Sequence, residues 1–161
     1  MNEYEKPASE NNSESLREIE RTIVSAIILS KDGKILMGKK DPEKGGVWAD
    51  VWHIPGGGLD EGETLHEALA REVEEEVRID ISQAQIKPLN HNFTGVAEKT
   101  LKDTGEKVLC HMQFNHFEVT LDKNADEIEL SLGDDLVETQ WFPLAELRNV
   151  KQIPGSEQWF E

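Results

Sequence analysis

The stretch HIPGGGLDEGETLHEALAREVEEEVRID, from His53 to Asp80, restricts the fold of this chain more than any other segment. Its second half carries a helical period. Leu65, Leu69, Val73 and Val77 recur every four residues and form one apolar stripe. Glu72, Glu75 and Glu76 stand at i, i+3 and i+4 on an adjoining face, so their carboxylates lie at the edge of any core that the stripe enters. Like charges at this spacing cost a helix roughly 0.2–0.5 kcal/mol per pair, and partial burial raises the cost. A hard divalent cation removes the conflict, because Mg2+ and Mn2+ prefer oxygen ligands. Thr64 and Glu67 predict a capping box that starts the helix, which then runs to about Val77. Ahead of it Gly56, Gly57 and Gly58 bring backbone close to a ligand with no side chain in the way. Taken alone, the helix suits a solvated glutamate-rich face equally well. Loop and helix together favour a cation site.

The rest of the chain bounds the setting. Its 161 residues suit one domain with a proper core. The first 20 residues are polar, acidic and without apolar period, and read as a flexible tail ahead of a domain at 21–161. Neither a secretory signal nor a membrane span is expected. One cysteine, Cys110, rules out an internal disulfide, fits a reducing cytoplasm and suits a small buried apolar position. A net charge of −16 repels nucleic-acid polymers and anionic membranes, yet allows small phosphate esters where divalent cations bridge them to the protein.

Thr22–Ser30 is β-branched and almost continuously apolar, which predicts a buried strand, turned at KDGK into a second strand, ILMGKK. Residues 41–50, rich in Pro and Gly, read as a loop. VWHIP reads as a short strand and Gly56–Gly62 as a loop. Strands are further expected within QIKPLNHNF, over Val108–Leu121 and over VETQWFPL, with a short helix opened by Pro143. The segment TGVAEKTLKDTGEK reads as an irregular connection, and DKNADEIELSLGDD as an acidic loop with room for a short strand. Strands flanking one central helix, with another helix near the end, imply an α/β fold: a mixed sheet covered on both faces. Lys39 and Lys40 end the second strand, where they suit phosphate contacts or an ordinary strand end. Trp48 and Trp52 precede the glycine loop, where an aromatic ring can stack on a base, and Trp52 suits the core equally.

The spacing from Gly57 to Ile79 resembles the Nudix box. Gly57 opens it, Glu63 follows, then Arg71-Glu72, apolar Val73, Glu75-Glu76 and a closing apolar Ile79. Arg78 stands where the family has glycine. The resemblance implies an α/β/α sandwich of the Nudix type and a hydrolase that cleaves a phosphoanhydride bond in a nucleoside diphosphate derivative with Mg2+ or Mn2+. It further implies that Glu72, Glu75 and Glu76 are metal ligands, one of them also the general base. The Gly56 carbonyl matches a backbone ligand of the family. Glu63 and Arg71 match the pair that supports the loop–helix geometry. Asp135, a few residues ahead of Trp141, falls where many members place an acidic ligand from outside the box, with Glu138 as its rival.

By elimination among substrate classes, the expectation is a MutT-like nucleoside triphosphate pyrophosphohydrolase. It would take a small nucleotide or diphosphate substrate in the cytoplasm, with a homodimer compatible. Rival readings are a Nudix-fold sensor of nucleotide sugars and a hydrolase of ADP-ribose or another nucleotide sugar. An isomerase of isopentenyl diphosphate needs a cysteine motif that Cys110 does not supply, and an RNA 5′-end hydrolase is disfavoured by the charge.

Overall fold

The computed structural model describes residues 16–41, 43, 51–89, 93–133 and 136–149. The tail as far as residue 15, most of the 41–50 loop with Trp48, and Asp135 lie outside the described residues. In chain order the elements are β1 (Arg17–Leu29), β2 (Lys34–Lys40), β3 (Gly56–Gly58), helix α1 (Leu65–Val77), β4 (Gln85–Pro88), β5 (Phe93–Thr100), β6 (Lys107–Thr120) and β7 (Leu136–Pro143). Single 3-10 segments cover Ala125–Glu127 and Leu144–Asn149. The strands form one mixed seven-stranded sheet along the path β4-β6-β1-β2-β7, with β3 paired to β1 and β5 to β6.

The described residues form two compact units. One holds residues 16–22 and 93–114; the other holds the remainder. In the smaller unit β5 and the first half of β6 make an antiparallel ladder from Phe93–Phe114 to Thr100–Lys107. Arg17 there donates to Glu106 at 2.8 and 3.2 Å, and His111 Nε2 lies 2.6 Å from Glu18. Cys110 is buried, as expected of a small apolar side chain.

The larger unit shows why the first strand is apolar throughout. Val24, Ala26 and Ile28 point to one face of the sheet, where they join Leu36, Phe117, Val119 and the stripe Leu69, Val73 and Val77 of α1. Ile27 points to the other, where it meets Ile35, Met37, Trp52, Ile54, Phe142 and Leu147. Alternation along the strand feeds both covers at once. Each fully buried Leu or Val of α1 contributes roughly 1.5–3 kcal/mol, which outweighs the repulsion between its glutamates.

Several local signals hold. The capping box is present: Thr64 Oγ1 accepts from Glu67 N–H at 3.1 Å, and Glu67 Oε1 accepts from Thr64 N–H at 2.9 Å. The hairpin after β1 turns at Gly33, whose φ is +81°. Four expectations change. VWHIP forms no strand element, and its His53 makes an isolated bridge to Gly38. Gly56–Gly58 is a strand, not a loop, because a ladder on β1 captures a backbone with no side chains to clash. The chain from Phe93 to Thr100 is strand β5, where pairing with β6 decides a segment whose Phe, Thr and Val are interrupted by Gly, Ala, Glu and Lys. The closing helix is a 3-10 segment whose Leu147 packs on the far face.

The first prediction concerns Arg78. It caps α1 in the left-handed region, φ 60° and ψ 37°, with its N–H on Glu74 O at 3.1 Å. A non-glycine residue there costs about 1 kcal/mol. Arg78→Gly is expected to raise the melting temperature by about 2–4 °C in a thermal unfolding scan.

Candidate active site

The carboxylate site is built where β3 passes under α1. Residues 53–58 run between β1 and β2. His53 exchanges both backbone hydrogen bonds with Gly38, at 2.8 and 2.9 Å, and Pro55 O accepts from Ala26 N–H at 2.8 Å. Gly56, Gly57 and Gly58 then pair with Ser25, Val24 and Ile23. Neither Gly56 nor Gly57 has room for a Cβ as the surrounding atoms stand. A Cβ on Gly56 would overlap Val24 O and Ser25, and one on Gly57 would overlap the Glu72 carboxylate. The glycines of the motif therefore let a strand lie directly against both the sheet and the glutamate helix.

Arg71 binds that layer together. Its Nε donates to Glu63 Oε2 at 2.7 Å and its Nη2 donates to Glu63 Oε1 at 3.0 Å and to Gly58 O at 2.9 Å. Its Nη1 donates to Glu72 Oε2 at 2.9 Å and to Glu75 Oε1 at 3.3 Å. Asp60 stands 3.4 Å from Nε. One guanidinium thus joins the glycine strand, the following loop and two turns of the helix. These partners, Glu63 first, push the Arg71 pKa further up. In return Arg71, helped by the Asp60 N–H at 2.8 Å, holds the Glu63 carboxyl below its ordinary value.

The motif glutamates occupy different depths. Glu76 is 2% exposed and its Oε1 accepts from Gly56 N–H at 3.1 Å, across 20 residues of sequence. The Glu72 side chain is largely buried, whereas that of Glu75 is 45% exposed. Glu72, Glu75, Glu76, Gly56, Gly57, Glu63 and Arg71 are thus gathered at one place. Among the described residues no three of His, Cys, Asp or Glu are collected at metal-ligand geometry. Arg71 draws Glu72 and Glu75, while Glu76 turns to Gly56 N–H. The donor chemistry nevertheless fits a hard cation: three carboxylates and a backbone carbonyl supply oxygen alone.

Lys39 and Trp52 stand on the other face of the sheet. Lys39 extends from the side of β2 that carries Ile35 and Met37, and its Nζ lies 4.9 Å from the centre of the Trp52 ring. Trp52 is buried and meets Phe142 edge-on at 5.0 Å, so it belongs to the core on the face away from α1. Lys40 stands opposite Leu136 beyond an irregularity in the ladder, and Glu138 stands opposite Lys39. Sequence reasoning missed the Gly58 carbonyl and the Asp60 carboxylate as Arg71 partners. The only hint was their position within the motif loop.

This arrangement of glycine strand, arginine and glutamate helix is accompanied by relationships across the whole domain. Residues 20–161 match the family model of the NUDIX domain, and the chain belongs to the NUDIX family. It is 30% identical over 122 residues to the nucleoside triphosphatase NudI of Escherichia coli, covering 76% of this chain and 81% of that one. It is 36% identical over 59 residues to the RNA pyrophosphohydrolase of Novosphingobium aromaticivorans. That match covers 37% of this chain and only about a third, 35%, of the relative's length. Among solved structures, the E. coli dihydroneopterin triphosphate pyrophosphohydrolase superposes with a TM-score of 0.63 at 17% identity, over 85% of this chain and 90% of that one. At that identity the likeness speaks for the fold alone. Among the described residues no helix is long and apolar enough to cross a membrane.

Two outcomes are expected from the Arg71 network. Arg71→Ala leaves four carboxylates, those of Asp60, Glu63, Glu72 and Glu75, without their shared cation. The site is partly buried, so the loss falls between a surface and a buried pair, about 2 kcal/mol, or roughly 4–8 °C in melting temperature. Arg71→Lys recovers little of it, because an ammonium cannot match the planar fork. The second outcome concerns acid. A carboxyl whose folded pKa is depressed gives stability that is present above its unfolded value, about 4.3, and is lost as pH falls through the folded value. Melting temperatures recorded from pH 6 to 3 should therefore fall more steeply for the wild type than for Glu63→Gln. Parallel acid limbs would contradict the assignment.

Proposed function

We propose that this chain is a divalent-cation-dependent hydrolase of a phosphoanhydride bond, acting on a nucleoside triphosphate with release of pyrophosphate. The observation that carries the reading is the convergence of Glu76 and Glu72 on Gly56 and Gly57, with Glu75 joined to Glu72 through Arg71. A solvated glutamate face would not bury Glu76 or press Glu72 against a glycine. The nucleoside triphosphatase relative, aligned over most of both chains, supports the substrate class. A net charge of −16 weighs against polymeric RNA, despite the short match to an RNA pyrophosphohydrolase. The single cysteine agrees with a cytoplasmic setting.

In this reading Glu72, Glu75 and Glu76, with the Gly56 carbonyl, hold Mg2+ or Mn2+. When bound, a divalent cation neutralises phosphate oxygens and makes water a better nucleophile. Arg71 and Glu63 fix the strand–helix geometry from which the carboxylates project. One carboxylate takes the proton of the attacking water at an Oε atom, which requires that it be ionised. Glu75, the most exposed of the three motif glutamates, can turn toward substrate at the least cost in packing. Lys39 contributes positive charge on the other face and is not assigned a phosphate contact here. Asp135 is kept as the acidic ligand from outside the motif.

The test is a panel of nucleoside triphosphates, nucleotide sugars and dinucleotides with Mg2+ or Mn2+, scored for released phosphate and pyrophosphate. Nucleoside triphosphates should be the best class, and excess chelator should abolish turnover. Glu76→Gln keeps an acceptor for the Gly56 N–H, so it should remain folded. It should lower turnover by about 10²–10⁴-fold and reduce the rise in melting temperature that Mg2+ gives the wild type. Near-wild-type turnover in that variant would sink the assignment.

A further inference from the structure

We propose that Gly133 is a positioning residue of the carboxylate site: its bare Cα docks on the last turn of α1 and fixes the backbone from which Glu75 and Glu76 project. The proposal rests on the reading of those two side chains as cation ligands. The last four carbonyls of a helix lack partners within it. Here Arg78 N–H takes Glu74 O at 3.1 Å, Gly133 N–H takes Glu76 O at 3.0 Å, and Ser131 N–H takes Val77 O at 3.1 Å. Two of these three donors come from a segment more than 50 positions further along the chain, just ahead of β7. The remaining carbonyl, Glu75 O, lies where a Cβ on Gly133 would be, and the Arg78 guanidinium carbon would stand 3.3 Å from that Cβ. Gly133 is therefore enclosed between the Glu75 carbonyl and the Arg78 side chain. Its own carbonyl accepts from Leu136 N–H at 3.2 Å, which leads the chain into β7.

The contact is to backbone on purpose of geometry rather than charge. A metal ligand set tolerates little displacement, and changes to groups that merely orient ligands typically weaken metal binding 10–100-fold. The sheet holds the Gly56 end of the site, where β3 pairs with β1. The segment 131–133 holds the opposite end, at the turn that carries Glu75 and Glu76. Any side chain at position 133 must push apart two backbones, because the nearest atom is a carbonyl oxygen and not the tip of a flexible side chain.

The experiment measures Mn2+ binding directly, by electron paramagnetic resonance of the free ion, on the full chain and three variants. Gly133→Ala is expected to raise the Mn2+ dissociation constant by about tenfold or more while keeping the wild-type circular dichroism. Leu132→Ala, which trims a neighbouring exposed side chain, should bind as the wild type does. Glu76→Gln should bind weakly. Wild-type affinity in Gly133→Ala beside weak binding by Glu76→Gln overturns this proposal alone. Unweakened binding by Glu76→Gln overturns the cation site, and this proposal with it. If Gly133→Ala does not fold, hydrogen exchange on the wild type decides. Saturating Mg2+ should slow exchange at the Ser131 and Gly133 amides by roughly fivefold or more, since coupling between two sites is reciprocal. Unchanged exchange there overturns the proposal.

Discussion

The guanidinium of Arg71 is the interaction on which the rest of the site depends. The chain carries 33 acidic residues, and its motif sets three glutamates and Glu63 around one turn of structure. Two unit charges about 4 Å apart at an effective dielectric near 20 interact by roughly 4 kcal/mol, far above the few tenths seen on an open helix. Such repulsion would splay the helix from the glycine strand. Arg71 reverses its sign, because its planar fork reaches the loop, the helix and the Gly58 carbonyl at once. A lysine offers one point of charge and could satisfy only part of this. The bond to Gly58 O matters as much as the ion pairs, since it attaches the network to a strand of the sheet.

Rigidity then follows from closeness. β1 lies close enough to β3 to exclude a methyl group at Gly56, and the Glu72 carboxylate of α1 fills the place of one at Gly57. The usual cost of glycine in a strand is loss of side-chain packing. Here the packing is restored from both sides, by the sheet below and by the Glu72 carboxylate above. The capping box at Thr64 starts the helix where β3 has left off, and the apolar stripe of Leu69, Val73 and Val77 seats it on the sheet. The carboxylates consequently stand on regular elements instead of a mobile loop.

What could be read from sequence divides along a physical line. The helix, its cap, the buried first strand and the role of Arg71 with Glu63 were legible, because each depends on residues close in sequence or on a fixed motif spacing. The left-handed end of α1 had one trace in the sequence, the place of Arg78 where the motif has glycine. Strand β5 was not legible, because its pairing is decided by β6 and its Phe, Thr and Val are interrupted by Gly, Ala, Glu and Lys. Gly56–Gly58 was misread for the same reason: local propensity says loop, while the ladder to Ile23–Ser25 says strand. Gly133 left no mark beyond a turn-like LGDD, because the carbonyl it fits lies on an element far away in sequence. Lys39 was in plain view, but its side of the strand could be settled only once Trp52 was placed in the core.

The insertion of residues 53–58 between β1 and β2 has a consequence for how the chain reaches this structure. β1 and β2 are joined by a tight turn and would, left to themselves, zip into a long hairpin within microseconds. In the folded protein their ladder is kept only near the turn, at Leu29–Ile35. Beyond it the backbone groups of Ala26 and Gly38 are given to Pro55 and His53. A fully closed hairpin uses the same groups, so it is a competitor of the native state and not a step toward it. The chain must either hold the two strands apart until the glycine segment arrives or reopen them. Local pairing and native topology are in opposition at this one place, and the carboxylate site exists only with the glycine segment inserted.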